Sequence, residues 1–463
     1  NIAVGNGALG AETVGQSSVA IGTAAAGNQA KSGGSQGHMR NTAIGTTSLY
    51  YNVTGTQNTF CGADAGVGVS GNSHSNNTGL GYYALGGITT ADYSVAIGSN
   101  AGTGITAHDY NIAIGKDSLR VCNDGYNVAI GAFSLEDGTN TYSNIAIGGY
   151  ALNKHAGANT VAVGESALQK NTTGVKNTAI GYQTLVENTV ADNNTAVGFQ
   201  ALKLSNKTGS EPVLSDNTAV GAVSSSQVTT GVQNTSLGAY ALAQTVDSDS
   251  NTALGYYACG AGDIANNGIT AVGAYSLAEN VAGQKNTALG FQSGNVLTSG
   301  SQNTIVGYDA DTDDNAATNQ TVIGSEVTGV ADNSVTLGNA SVTAVYAASD
   351  SGAIVHCAGL GDGTDTLIAL DTSNNVKING AGVQDTGNPG WTFVAGNSNQ
   401  GSILEHACGD AGELIATFRT TSGVAGGITT SGTSTTFATS SDYRLKENEV
   451  AISDGLTRIN QLK

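Results

Sequence analysis

Two short segments hold residue types that bind transition metals: His356-Cys357, and His406 followed two positions later by Cys408. Imidazole nitrogen and thiolate sulfur are ordinary zinc ligands, and a structural zinc site gathers about four of them in a tetrahedron. Both segments read as strands, where adjacent side chains point to opposite faces, so His356 and Cys357 cannot readily grip one ion. No metal site is expected, and no calcium-binding nonapeptide of the GGxGxDxUx type occurs. The five cysteines, Cys61, Cys122, Cys259, Cys357 and Cys408, form an odd set without CxxC spacing. Hydrolysis of a glycosidic bond needs two carboxylates at a fixed separation in a cleft. The 35 acidic residues scatter through turn segments and nominate no such pair. Trp391, the single tryptophan, follows Asn388-Pro389-Gly390, which suits a turn leading into a strand. An exposed indole there could stack on a sugar ring, but a lone tryptophan is read as core. No cofactor is implied by any of these residues.

Composition narrows the field further. The 463 residues include 67 Gly but only seven Phe, two Pro, one Met and one Trp, so no core can be built around large aromatics. The formal net charge of −19 excludes the basic footprint of a nucleic-acid binder, and charged residues are only 11%, too few for a charge-driven disordered chain. No run approaches the roughly 18 consecutive apolar residues of a membrane span, so no membrane insertion is expected.

What could position any chemistry is a repeat. The motif N-T-A-I-G places a glycine at twenty positions from Gly5 to Gly338, and twelve of the nineteen intervals are 17 residues long. A short fixed period marks a solenoid, in which a coil cannot bury its apolar face without its neighbours. Three residues before the glycine stands Thr, Val or Ile, and immediately before it Ile, Val, Leu or Cys. These two positions share one face of a strand, which is expected to be the inward one. Between them sits a small residue, usually Ala, as at Ala43, Ala113, Ala179 and Ala253. It leaves room for a backbone or another chain to approach on the opposite face. Four residues past the glycine Leu recurs in eleven coils, which predicts a second short inward strand. Polar turns such as NTTGVK at 171–176 complete each coil. Fourteen copies begin with Asn, and stacked asparagines can form amide ladders. Cys61 and Cys259 occupy positions otherwise held by aliphatics, so they are read as small reduced hydrophobes.

The fold class expected is therefore all-β, a parallel β-solenoid or β-roll over residues 1–345. Coils stacked at about 4.8 Å would make a rod on the order of 95 Å. One narrow column buries little, so several chains are expected to share the core. The motif SVAIG at 18–22 and 94–98, with its NTAIG variants, resembles the head repeat of YadA-like trimeric adhesins. That resemblance implies a trimeric left-handed β-roll whose work is attachment, although the family's usual period is shorter than 17. Two longer coils carry the insertions 27–40 and 203–216, which become loops on one face and are read as neutral decoration.

Beyond the repeat, residues 346–440 alternate short apolar runs with Gly and Asn, which predicts a small β-rich module. The end, 441–463, contains Ser441-Asp442-Tyr443-Arg444-Leu445-Lys446-Glu447-Asn448. This string resembles the start of the C-terminal intramolecular chaperone of phage tailspikes, endosialidases and tail fibres, a trimerising domain that cuts itself off after assembly. The resemblance implies a scissile Ser441-Asp442 bond, with Ser441 as nucleophile and Lys446 as its base. A serine hydroxyl is inert until its proton is removed, and a lysine removes it only when desolvation or a nearby cation lowers its pKa. Taken alone, the same segment reads as a solvated stretch before a helix with Asp454 as its N-cap and Leu456, Ile459 and Leu462 on one side. Together these features imply an extracellular attachment fibre of a virion tail. Its expected partners are two further copies of itself, a host-surface glycan or protein receptor, and other virion tail proteins reached through a module before Asn1. A bacterial trimeric surface adhesin is the nearest alternative, followed by an ice-binding solenoid and a fibre-borne glycan hydrolase. Ice binding is set aside because Val and Ile replace Thr freely at Ile112, Val128 and Ile145, which implies an inward column.

Overall fold

The computed structural model describes residues 1–30, 37–121, 124–139, 141–206, 213–261 and 267–345, and beyond these the backbone of eight strands between 359 and 439. The chain divides into two compact units, Asn1–Thr343 and Ala344–Lys463. The first is a parallel β-solenoid, and no helix occurs among the described residues.

Each motif contributes a three-residue strand, from Ile2–Val4 to Val335–Leu337, and the twenty strands form one parallel sheet. Every strand pairs in register with that of the next coil, so Thr178-Ala179-Ile180 lies beside Thr195-Ala196-Val197. In-register pairing of identical triplets follows from the repeat itself: a slip by one residue would turn every side chain to the other face. The backbone is satisfied from coil to coil outside the strands as well. The Gly98 amide donates to the Leu80 carbonyl at 2.8 Å and the Leu85 amide to the Ala101 carbonyl at 2.9 Å.

The motif glycine is required twice over. Gly98 has φ +133°, and a Cβ there would stand 2.7 Å from the carbonyl oxygen of Gly115 in the next coil. After the glycine the chain turns tightly through left-handed residues, such as Tyr83 (φ 55°) and Leu85 (φ 54°). The expected second strand is therefore a turn. Ala84 and Leu85 are adjacent and both fully buried, which a strand's alternation forbids.

The core corrects the inward assignment. The middle residue of the strand is the buried one, with Ala179 0% exposed, whereas Ile180 beside it is 40% exposed in the single chain. The coil is flat: the alanine column of the strand faces the leucine column of the turn, as Ala179 and Leu185 do, and residues such as Ile88, Val228 and a set of buried Asn, Ser and Thr side chains fill the rest. Larger side chains enter the alanine column where the facing leucine is missing. Phe60 replaces the core alanine, and Gly66 and Gly79 lie against its ring where Leu and Ala stand in other coils. Ile305 does the same beside Gly294.

The asparagine column also points inward. Asn177 Oδ1 accepts the backbone amide of Asn194 at 2.9 Å, and its Nδ2 donates to the Ala191 carbonyl at 2.8 Å. The same pattern recurs at Asn217 and Asn234 and at Asn286 and Asn303. This is the expected ladder, running mainly from side-chain amide to backbone. It satisfies amides where the chain enters each strand.

In the second unit, strands Gly359–Gly361, Thr366–Leu370, Val376–Asn379, Gly390–Val394 and Ile403–Ala407 form an antiparallel sheet in chain order. Leu414–Thr420, Gly423–Ser431 and Ser434–Thr439 form another.

Candidate functional site

With alanine turned inward, the β-branched and aliphatic residues that flank it become an outward face. One column runs through Thr178, Thr195, Thr218 and their equivalents, and a second through Ile180, Leu237, Leu254 and Leu289. The second column is continued by exposed Ile21, Ile44, Leu80, Ile97 and Ile147 toward the N-terminus. Isolated apolar residues on a surface are ordinary, but here they form a continuous apolar column along a sheet of twenty strands.

Aromatic side chains border this face. Tyr182 stacks on Phe199 of the next coil with centroids 5.6 Å apart, and Phe291 stacks on Tyr308 at 5.7 Å. Phe133 stacks on Tyr150 at 5.0 Å, with the Lys116 ammonium 4.6 Å from the Phe133 centroid. A separate row, Tyr93, Tyr110, Tyr126 and Tyr142, occupies the turn before the strand. Sequence reasoning passed over these columns. The signal was there, as tyrosine and phenylalanine at three motif offsets that elsewhere hold small or polar residues.

Buried titratable groups lie inside the coils and not on a cleft. His74 and His155 are almost wholly enclosed, and burial pushes both imidazoles from the ordinary 6.5 down to about 4. Their Nδ1 atoms lie 3.3 Å from Asn77 Nδ2 and 3.1 Å from Asn171 Nδ2, so each ring is neutral with Nδ1 as acceptor. Asp311 is displaced upward to about 6, chiefly by burial, although the amides of Val296 and Thr312 bond its carboxylate. Burial pushes the Cys259 thiol up to about 12, which leaves it an unreactive space-filler in the leucine column. Cys61 is half-buried in the outward aliphatic column.

Among the described residues no cluster of three His, Cys, Asp or Glu could hold a metal ion. Ser441, Lys446 and the Ser441-Asp442 bond lie outside the described residues, as do the helix expected near Asp454, Cys122, His356, Cys357 and Cys408. Trp391 and His406 lie in paired strands whose backbone registers them with each other. The insertion residues 31–36 and 207–212 also fall outside. No helix among the described residues is long and apolar enough to cross a membrane. No protein-family model matches the chain. No curated protein matches it.

Proposed function

We propose that the chain is one protomer of a homotrimeric attachment fibre of a virion tail, with the solenoid as its shaft. The observation that carries this reading is the outward placement of the Thr/Val/Ile and Ile/Val/Leu columns along the whole sheet. The apolar core of a single chain is mostly alanine and leucine, which is thin for so many ordered residues. Three copies related by closed rotational symmetry would bury the outward columns against one another and turn them into a shared core. The shaft itself does no catalysis in this reading. A host-surface glycan or protein is the receptor, other virion tail proteins join upstream, and Ser441 with Lys446 releases the C-terminal chaperone after assembly.

A second reading has gained an observation. The threonines of nine consecutive coils, Thr178 to Thr321, face outward and not inward, which removes the ground on which ice binding was set aside. Against it, exposed Tyr182, Phe199, Tyr256, Phe291 and Tyr308 interrupt the flatness of that side. Sedimentation equilibrium and thermal hysteresis separate the two. A stable trimer without hysteresis fits the fibre, whereas a folded monomer that depresses the freezing point overturns it.

A further inference from the structure

The four-tyrosine row has a composition of its own. In every coil the residue that leads into the buried asparagine position adopts a left-handed conformation, and nearly everywhere it is polar: Ser17, Gln57, Asn76, Lys176, Asn193 and Gln233 are examples. Three successive coils depart from this, with Tyr93 (φ 55°), Tyr110 (φ 63°) and Tyr126 (φ 62°). Tyr142 continues the row from the position before Ser143 in the next coil. Tyr93 and Tyr110 are parallel within 5° at a centroid distance of 5.2 Å, and Tyr110 and Tyr126 lie 5.2 Å apart at 23°. Tyr142 turns away, its plane 65° from that of Tyr126 at 5.6 Å. All four rings are about half exposed.

Three bulky rings depart from the solvent-compatible side chains this column otherwise carries, and each leaves about half of its surface exposed. Offset stacking aligns them as a ladder with one rung per coil. Each phenol combines an apolar body with a hydroxyl that both donates and accepts. Asp92 and Asp109, immediately before Tyr93 and Tyr110, each place Oδ1 on a backbone amide of a neighbouring coil, at 2.5 and 2.8 Å, which holds the turns that carry the rings. Rigid aromatic edges at the coil spacing, hydroxyls and adjacent carboxylates are the chemistry that receives sugar rings and their hydroxyl groups. The advance of an extended glycan, one ring per residue, is comparable with the spacing of the rungs. The carboxylates and the net charge of −19 disfavour sialylated, phosphorylated or uronic-acid chains.

We infer that Tyr93, Tyr110, Tyr126 and Tyr142 form a binding ladder for a neutral, extended glycan chain running along the solenoid. This names the receptor class within the attachment reading and rests on it. The probes are neutral soluble polysaccharides, such as a mannan, a galactan and a β-glucan, tested by affinity electrophoresis and calorimetry. A sialylated or uronic-acid polymer serves as the charged control. The variants Tyr93→Ser, Tyr110→Gln and Tyr126→Asn install residues that the same column carries in other coils, so the fold tolerates them. Each should weaken binding of a neutral polymer by roughly three- to tenfold, with the triple variant lacking measurable affinity while its circular dichroism shows the solenoid still folded at the assay temperature. Equal binding by wild type and triple variant overturns the ladder. Preference for the charged polymer overturns the neutral class. Wild-type protein that adheres to cells but binds none of the polymers, and loses adhesion in the triple variant, overturns the glycan in favour of a protein receptor. Adhesion that survives in the triple variant removes the ladder while leaving the attachment reading intact, whereas a chain that adheres to no cell removes that reading instead.

Discussion

At the scale of single residues, the motif glycines and the buried histidines can each be tested. A Cβ at Gly98 would meet the Gly115 carbonyl oxygen at 2.7 Å from a φ of +133°, so Gly98→Ala should cost about 2–4 kcal/mol and lower Tm sharply. Gly149, where the nearest atom to an added Cβ is 3.9 Å away, is the matched control, and Gly149→Ala should leave Tm nearly unmoved. The buried histidines give the shaft an acid limit. Their folded pKa values, about 4, lie below the ordinary 6.5, so the unfolded chain binds more protons between those values and stability falls as pH drops through that window. Asp311 acts in the opposite sense, because its folded pKa of about 6 lies above that of the unfolded carboxyl and favours the fold as pH drops. Two histidines outweigh one carboxylate, and melting followed from pH 7 to pH 4 should show a net loss of a few kcal/mol. His74→Asn with His155→Asn should flatten that loss, and an unchanged pH profile would show that the histidines are not its source. The asparagine ladder, with Asn177 tying both Asn194 and Ala191, was legible in advance, because an identical residue at an identical offset implies a stack. The histidines were not, since His74 and His155 follow no motif position that repeats as His.

At the scale of the strand, the alternation of side chains distinguishes two faces but does not say which is enclosed. Ala179→Asp places a carboxylate in a fully buried column with no partner and should unfold the coils around it. Ile180→Asp places one on a surface that is 40% exposed in the protomer. It should leave the circular dichroism of a lone chain intact while abolishing self-association, because in the proposed trimer the charge would be buried against a neighbouring chain. Loss of secondary structure at both sites alike would return Ile180 to the core. A change in the polar turn, Thr173→Asp, should alter neither reading. The strand triplet itself was plain in the sequence from the Thr-Ala-Ile pattern. The leucine turn was not, because left-handed residues such as Leu185 (φ 51°) bury two neighbours in succession and imitate no regular period.

At the scale of the whole molecule, the attachment reading extends to the C-terminal segment, 441–463. In the proposed fibre the precursor should cleave itself between Ser441 and Asp442 once three chains have assembled, because burial in the assembled site would lower the Lys446 pKa and leave its amine neutral and free to accept the serine proton. Expression of the gene followed by intact mass measurement should yield a fibre ending at Ser441. Ser441→Ala and Lys446→Ala should each leave an uncut trimer. Processing that continues in either variant removes that residue from the mechanism.

The sequence by itself determined the stacking of coils, the glycine at each corner and the asparagine line, because each is a local backbone requirement repeated in register and needs no knowledge of what lies across the coil. Only the tertiary structure decided which side of the strand is interior. The space between the strand and the turn admits an alanine opposite a leucine and takes a larger residue such as Ile305 only where the leucine is missing, and that distance is a property of the closed coil and not of any one segment. For the same reason Tyr93, Tyr110 and Tyr126 are scattered in the chain but become a ladder once the coils set them 5.2 Å apart.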